Sequence, residues 1–205
     1  MLHRENLLRA VAEEKELLTI LAKEEYDKVL ARLEKEFGVP ELVKRLSLQA
    51  TDYRSADVDT RIRITNGRAE IIQKLGDWKK GNRHETSVPL PSSPKTVFDL
   101  YKIFLNAMKD TDVQSPIMQL ENRLFKGTDF EIKLTYQFGK RDAYNCEIEV
   151  FDLGLEPEDL AEKYDIPIHL PTQTQDFWKK WNEEVNLSAG ELSDEELLKI
   201  IKGYL

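Results

Sequence analysis

The stretch from Asp52 to Leu90, DYRSADVDTRIRITNGRAEIIQKLGDWKKGNRHETSVPL, constrains the fold more than any other. An Asn-Gly pair between two β-rich runs is a strong short-range hairpin signal, because both turn residues must take positive φ. Asn66-Gly67 therefore predicts a strand over Asp59–Thr65, a tight turn, and a second strand over Arg68–Leu75, with a third over Asn82–Leu90. Alternation places Arg61 and Arg63 on one face and Ile62 and Ile64 on the other. In the next strand Glu70 and Lys74 share a face with Ile72 between them; in the third, Arg83, Glu85 and Ser87 share one. An antiparallel sheet needs only one apolar face, so this stretch alone reads as solvated charges outside an isoleucine core.

A second stretch has the same habit. In ENRLFKGTDFEIKLTYQFGKRDAYNCEIEVFDLG, Glu131, Lys133 and Thr135 alternate against Phe130, Ile132, Leu134 and Tyr136. Glu147 and Glu149 alternate against Cys146, Ile148 and Val150. Many strands with charges of both signs on one face suggest a closed barrel with a polar lumen and a covered outside. Arginines and glutamates together in one lumen are the composition needed to bind a polyanion with a divalent cation.

The order of these pieces resembles the CYTH, or triphosphate tunnel metalloenzyme, superfamily. That group includes thiamine and inorganic triphosphatases, class IV adenylyl cyclases and the RNA triphosphatases of fungal and viral mRNA capping. Tyr53, Arg61, Arg63, Lys74, Arg83 and Glu85 meet its tyrosine run, R-x-R strand, lysine-ending strand and R-x-E strand; Glu147 and Glu149 meet its late E-x-E strand. The resemblance covers most of 14–154, and the FEIKLTYQF strand leading into CEIEV is more like the RNA triphosphatase branch.

The resemblance implies an α+β fold: an antiparallel, closed or nearly closed β-barrel flanked by helices. It implies a single domain over 1–205, with an inserted helix at about 95–109 and a C-terminal helical extension at about 174–205. Arg61, Arg63, Lys74, Arg83, Arg123 and Lys133 would converge on phosphate oxygens. Glu14, Glu16, Glu147 and Glu149 would hold Mg²⁺ or Mn²⁺, with Glu147, Glu149 and Glu85 as the catalytic carboxylates. Two family cations are replaced: Leu18 stands at a lysine position, with Lys15 out of phase, and Glu121 stands at another, two residues before Arg123. The implied function is a metal-dependent phosphohydrolase acting on inorganic tripolyphosphate, a nucleoside triphosphate or an RNA 5′-triphosphate. The alternatives are a polyphosphate- or nucleotide-binding barrel without catalysis, a class IV-type cyclase, and a purely structural α+β domain. No motif for adenine or ribose contacts accompanies the cyclase alternative.

The chain has 205 residues, enough for one domain with a substantial core. Charged residues make up 33% and the formal net charge is −8, so general attraction to nucleic acid or anionic membrane is not expected. Cys146 is the one cysteine, and it reads as a buried core thiol rather than a nucleophile. No apolar leader and no membrane-length apolar run is visible, which points to a cytoplasmic protein. His3, His84 and His169 support neither a histidine metal site nor a histidine-centred triad.

Lys23–Phe37 has helical spacing and stops at Gly38; after Pro40, Leu42, Val43 and Leu46 read as a short apolar face in a helix-rich region. The preceding AEEKELLTILA is open between two readings. Propensity favours helix, with Leu2, Leu7, Leu8, Val11 and Leu18 as contacts, whereas the resemblance makes it the strand that carries Glu14 and Glu16. Asp57 and Asp59 read as a turn and a solvated strand start. Further helices are expected over Lys95–Lys109, Pro157–Lys163, Thr174–Val185 and Ser193–Tyr204, the last opened by a Ser193/Glu196 capping box. Trp178 and Trp181, at helical spacing, read as packing anchors.

Overall fold

The computed structural model describes residues 15–52, 58–76, 84–108, 113–151, 154–169 and 175–205; Glu14, Tyr53, Asp57 and Arg83 lie outside them. In chain order the elements are β1 (Lys15–Leu21), α1 (Lys23–Phe37), β2 (Glu41–Asp52), β3 (Val58–Thr65), β4 (Arg68–Leu75), β5 (His84–Leu90), α2 (Pro94–Ala107), β6 (Val113–Gln114), β7 (Pro116–Lys126), β8 (Phe130–Phe138), β9 (Ala143–Val150), α3 (Pro157–Lys163), α4 (Gln175–Val185), β10 (Leu187–Ser188) and α5 (Asp194–Lys202). The main strands form one antiparallel sheet in the order β1-β9-β8-β7-β2-β3-β4-β5, with β6 on β2 and β10 on β7. The α+β class is as expected. Among the described residues no ladder joins β1 to β5, so the sheet is not closed.

The β3–β4 hairpin forms around Asn66 and Gly67, whose φ values of 47° and 82° are those such a turn demands. The open question at the chain start resolves as strand: Lys15–Leu21 pairs with β9, and Leu17, Thr19 and Leu21 are buried. The expectation for 41–46 is corrected. Those residues open a 12-residue strand, in which Leu46, Leu48 and Ala50 are buried on one face while Arg45, Ser47 and Gln49 occupy the other. Pairing on both sides, to β3 and β7, overrides local helix preference.

Helices cover one face of the sheet in two patches. On the first, α1 and α3 bury Tyr26, Val29, Leu33 and Leu160 against Leu17, Ile132, Leu134 and Ile148. On the second, α2 and α5 bury Val97, Tyr101, Leu197 and Ile201 against Leu46, Leu48, Ile62 and Ile64. Cys146 is fully buried in the first patch, as expected. Local signals set the helix ends: the Ser93 hydroxyl and Pro94 open α2, Pro157 opens α3, and Ser193 with Glu196 caps α5.

Between the two patches runs a polar seam over β7 and β2. Arg123 donates to the Tyr26 hydroxyl at 2.8 Å, Glu121 lies 3.7 Å from Lys44, and Leu42 is 47% exposed. The fourth helix differs: α4 packs Trp181 and Val185 on Ala143, with Ile20 alongside. The register places Ala143 and Ile20 on the face away from the other helices, so α4 covers one end of it.

Candidate functional site: a two-walled charged face

The face left by the helices collects most of the expected residues. Antiparallel partners project to the same side, so the register assembles it directly. From β3 and β4 come Asp59, Arg61, Arg63, Glu70 and Lys74, and from β5 Glu85 and Ser87. From β8, β9 and β1 come Lys133, Glu147, Glu149 and Glu16. One wall interleaves cations with acids, and the other is mainly carboxylates around Lys133.

On the basic wall Arg61, Arg63 and Lys74 each have an acid beside them. Arg61 bonds Asp59, which is 8% exposed and not the solvated strand start expected. Arg63 Nε donates to Glu70 Oε1 at 2.9 Å, and Ser87 donates to the other oxygen of that carboxylate. Burial pushes the Glu70 carboxyl up, but the Ser87 and Arg63 hydrogen bonds outweigh it and the net direction is down. Lys74 Nζ stands 3.1 Å from Glu85 Oε2, whose other oxygen is 3.9 Å from Arg63. Glu85 thus links two cations.

On the acidic wall Lys133 bonds Glu147 and lies 3.7 Å from Glu149. Glu147 and Glu149 are two residues apart on one strand, at 18% and 28% side-chain exposure. The hydrogen bond to Glu147, then burial and the Glu147 charge, push the Glu149 carboxyl up to about 8, with Lys133 opposing the rise and Glu16 adding to it. Burial also pushes Glu147 up, but its hydrogen bond with Glu149 and the Lys133 charge hold it below the ordinary range.

Sequence reasoning missed Arg45. It lies on this face opposite Thr65 and feels the charges of Arg63, Glu147 and Arg61. Burial, then Arg63, pulls its guanidinium pKa down. The signal was the alternation of Arg45, Ser47 and Gln49 against Leu46, Leu48 and Ala50, hidden because 41–46 read as part of a helix-rich region.

Other expectations fall elsewhere. Arg123 pairs with Leu134 and Leu42 on the helix side, so it does not join the cations of the charged face, and Glu121 shares that side. The β7 positions that do reach the charged face are Met118, Leu120, Asn122 and Leu124, with Lys126 at the strand end. Lys15 also points to the helix side, where it bonds Glu156, and Leu18 takes the charged-face position. His84 sits on the opposite side from Glu85, and His169 Nε2 is 2.9 Å from Glu25. Glu14 and Arg83, expected as metal and phosphate ligands, are outside the described residues.

The donor chemistry suits a hard divalent cation at the Glu147–Glu149 pair, since a metal relieves the charge of Glu147 that helps push the Glu149 carboxyl up. Among the described residues no group of three or more histidine, cysteine, aspartate or glutamate side chains stands together as a ready-made metal site. Lys133 already lies between the two carboxylates.

Solved structures share this fold, which agrees with the expected architecture at the level of the fold. An adenylate cyclase candidate of Bacillus halodurans aligns over 80% of this chain and 96% of its own, at 14% identity and a TM-score of 0.56. The HpAC1 protein of Hippeastrum, whose dominant activity is that of a triphosphatase, aligns over 82% and 95% at 12% identity and a TM-score of 0.53. The PH1012 protein of Pyrococcus horikoshii aligns over 89% and 98% at 16% identity and a TM-score of 0.52. No protein-family profile and no curated protein matches the sequence. Among the described residues no helix is long and apolar enough to cross a membrane.

Proposed function

We propose that the chain binds a triphosphate on the charged face and hydrolyses its terminal phosphoanhydride with Mg²⁺ or Mn²⁺. The observation that carries this reading is one strand face that bears Arg45, Arg61, Arg63 and Lys74 towards one side and the neighbouring carboxylates Glu147 and Glu149 towards the other. Phosphoryl transfer depends mainly on positioning and charge neutralisation, so a protein nucleophile is not required.

In this reading Arg61, Arg63 and Lys74 exchange their carboxylate partners for phosphate oxygens, with Arg63 suited to a bidentate contact. Glu85 and Glu70 keep the basic wall oriented while the anion is absent. Glu147 and Glu149, with Glu16 opposite Glu149 in the ladder, would hold the metal, which supplies charge neutralisation at the phosphate when bound. Lys133 then passes from the carboxylates to the phosphate. The substrate set is inorganic tripolyphosphate, a nucleoside triphosphate or an RNA 5′-triphosphate, and α4 covers one end of the face.

A second reading, a barrel that binds polyphosphate without cleaving it, is favoured by a specific observation. Met118, Leu120 and Leu124 line the middle strand of the charged face, which therefore carries fewer cations than a fully basic tunnel. Phosphate release from tripolyphosphate, ATP and 5′-triphosphorylated RNA, with Mg²⁺ or Mn²⁺, separates the two. Metal-dependent turnover lost by Glu147→Ala with Glu149→Ala supports the hydrolase. Melting raised by tripolyphosphate with no turnover supports the binder.

A further inference from the structure

We infer that Arg45 and Thr65 form a phosphate-oxygen subsite on the charged face, additional to the cations that the hairpin strands supply. Among the described residues, the buried side-chain polar atoms without a hydrogen-bond partner are Arg45 Nε and Thr65 Oγ1. They belong to directly opposed residues of β2 and β3, so their side chains leave the sheet side by side on the same face. Both atoms can donate a hydrogen bond. A buried donor without an acceptor is costly, and two such donors on opposed residues next to Arg63 are what an oxyanion would satisfy.

Arg45 also differs from its neighbours in its counter-ion. Arg61 has Asp59, Arg63 has Glu70 and Lys74 has Glu85, whereas no described carboxylate stands within ion-pair distance of Arg45. A buried guanidinium nitrogen without an acceptor is costly in the unliganded protein and favours an anion that can accept from it. Its field reaches Glu147 across the face, which puts the subsite between the basic wall and the carboxylate pair. The ligand class is a phosphate oxygen, alone or within a polyphosphate chain. The inference rests on the charged face being a phosphate site and names two atoms that hold the ligand there.

The test uses Arg45→Met and Thr65→Val in the full chain, titrated with orthophosphate and with tripolyphosphate, alongside unliganded melting curves. The subsite requires weaker binding of both anions, by about tenfold or more for Arg45→Met and severalfold for Thr65→Val, as for a charge-assisted and a neutral hydrogen bond. It also requires that the unliganded variants melt no lower than the wild type, since each removes an unsatisfied buried donor; a purely structural role would lower melting instead. Wild-type affinity for both anions in both variants, or no orthophosphate binding by the wild type, would overturn the assignment. Phosphate release by the wild type is scored separately. Turnover with unaltered anion binding in the variants removes the subsite and leaves the hydrolase reading; lost anion binding without wild-type turnover does the reverse.

Discussion

Glu149 is the residue whose chemistry is most exposed to experiment. In an unfolded chain its carboxyl titrates near the ordinary 4.5, whereas in the folded protein it is pushed up to about 8. Between those values the folded state binds the extra proton. Stability from this group is therefore complete below about 4.5 and is lost as pH rises through 8. Glu147, held below its ordinary range, acts with the opposite sign at the acid end. Glu149→Gln keeps the hydrogen bond and removes the titration. Its melting temperature is expected to hold steady from pH 5 to pH 9 where the wild type declines; parallel curves would contradict the raised Glu149 carboxyl. The same pair is expected to release protons when Mg²⁺ or Mn²⁺ is added near pH 7, which calorimetry in buffers of different ionisation enthalpy reads directly.

At the scale of elements, α4 is held by two features of different kind. Trp181, 7% exposed, packs with Val185 on Ala143, and the hairpin after β8 passes so close that a Cβ at Gly139 would lie 2.7 Å from the Val185 carbonyl oxygen. Lys140 N–H donates to that same carbonyl at 2.8 Å. Trp181→Ala is expected to cost about 3–5 kcal/mol, as large aromatic truncations in cores do. Gly139→Ala must displace α4 from the charged face, so it is expected to raise hydrogen exchange in Gln175–Val185. Unchanged protection there would contradict the packing.

The elements also mark what was legible in the sequence. The β3–β4 hairpin, α1, α2, α3 and α5 were readable because their signals are local: a turn pair, a helix-stopping glycine, a helix-opening proline, a capping box. Arg61, Arg63, Lys74, Lys133, Glu147 and Glu149 were readable because parity in a strand fixes the face. Arg45 was not, because β2 is a strand by virtue of its two partners rather than its own composition. Arg123 was assigned from the resemblance alone, and the register of β7 puts it on the helix side, where it donates to the Tyr26 hydroxyl.

On the scale of the whole molecule, a chain of net charge −8 carries a concentrated set of cations on one strand face. Folding must hold those like charges together, and acids interleaved with them do so. A ligand that binds only the folded state then stabilises it by mass action, about 2.7 kcal/mol at a hundredfold excess over the dissociation constant. Tripolyphosphate is accordingly expected to raise the melting temperature, and to do so less at high salt, because the attraction is ionic.

The most direct measurement is calorimetric titration of tripolyphosphate into the wild type and into Arg63→Ala. Arg63 sits at the centre of the basic wall, bonded to Glu70 and within 3.9 Å of Glu85. Saturable binding by the wild type, weakened about tenfold or more in the variant, is the expected result for a charge-assisted contact. Binding of equal strength in both proteins, or none in the wild type, would contradict the assignment of this face as the triphosphate site.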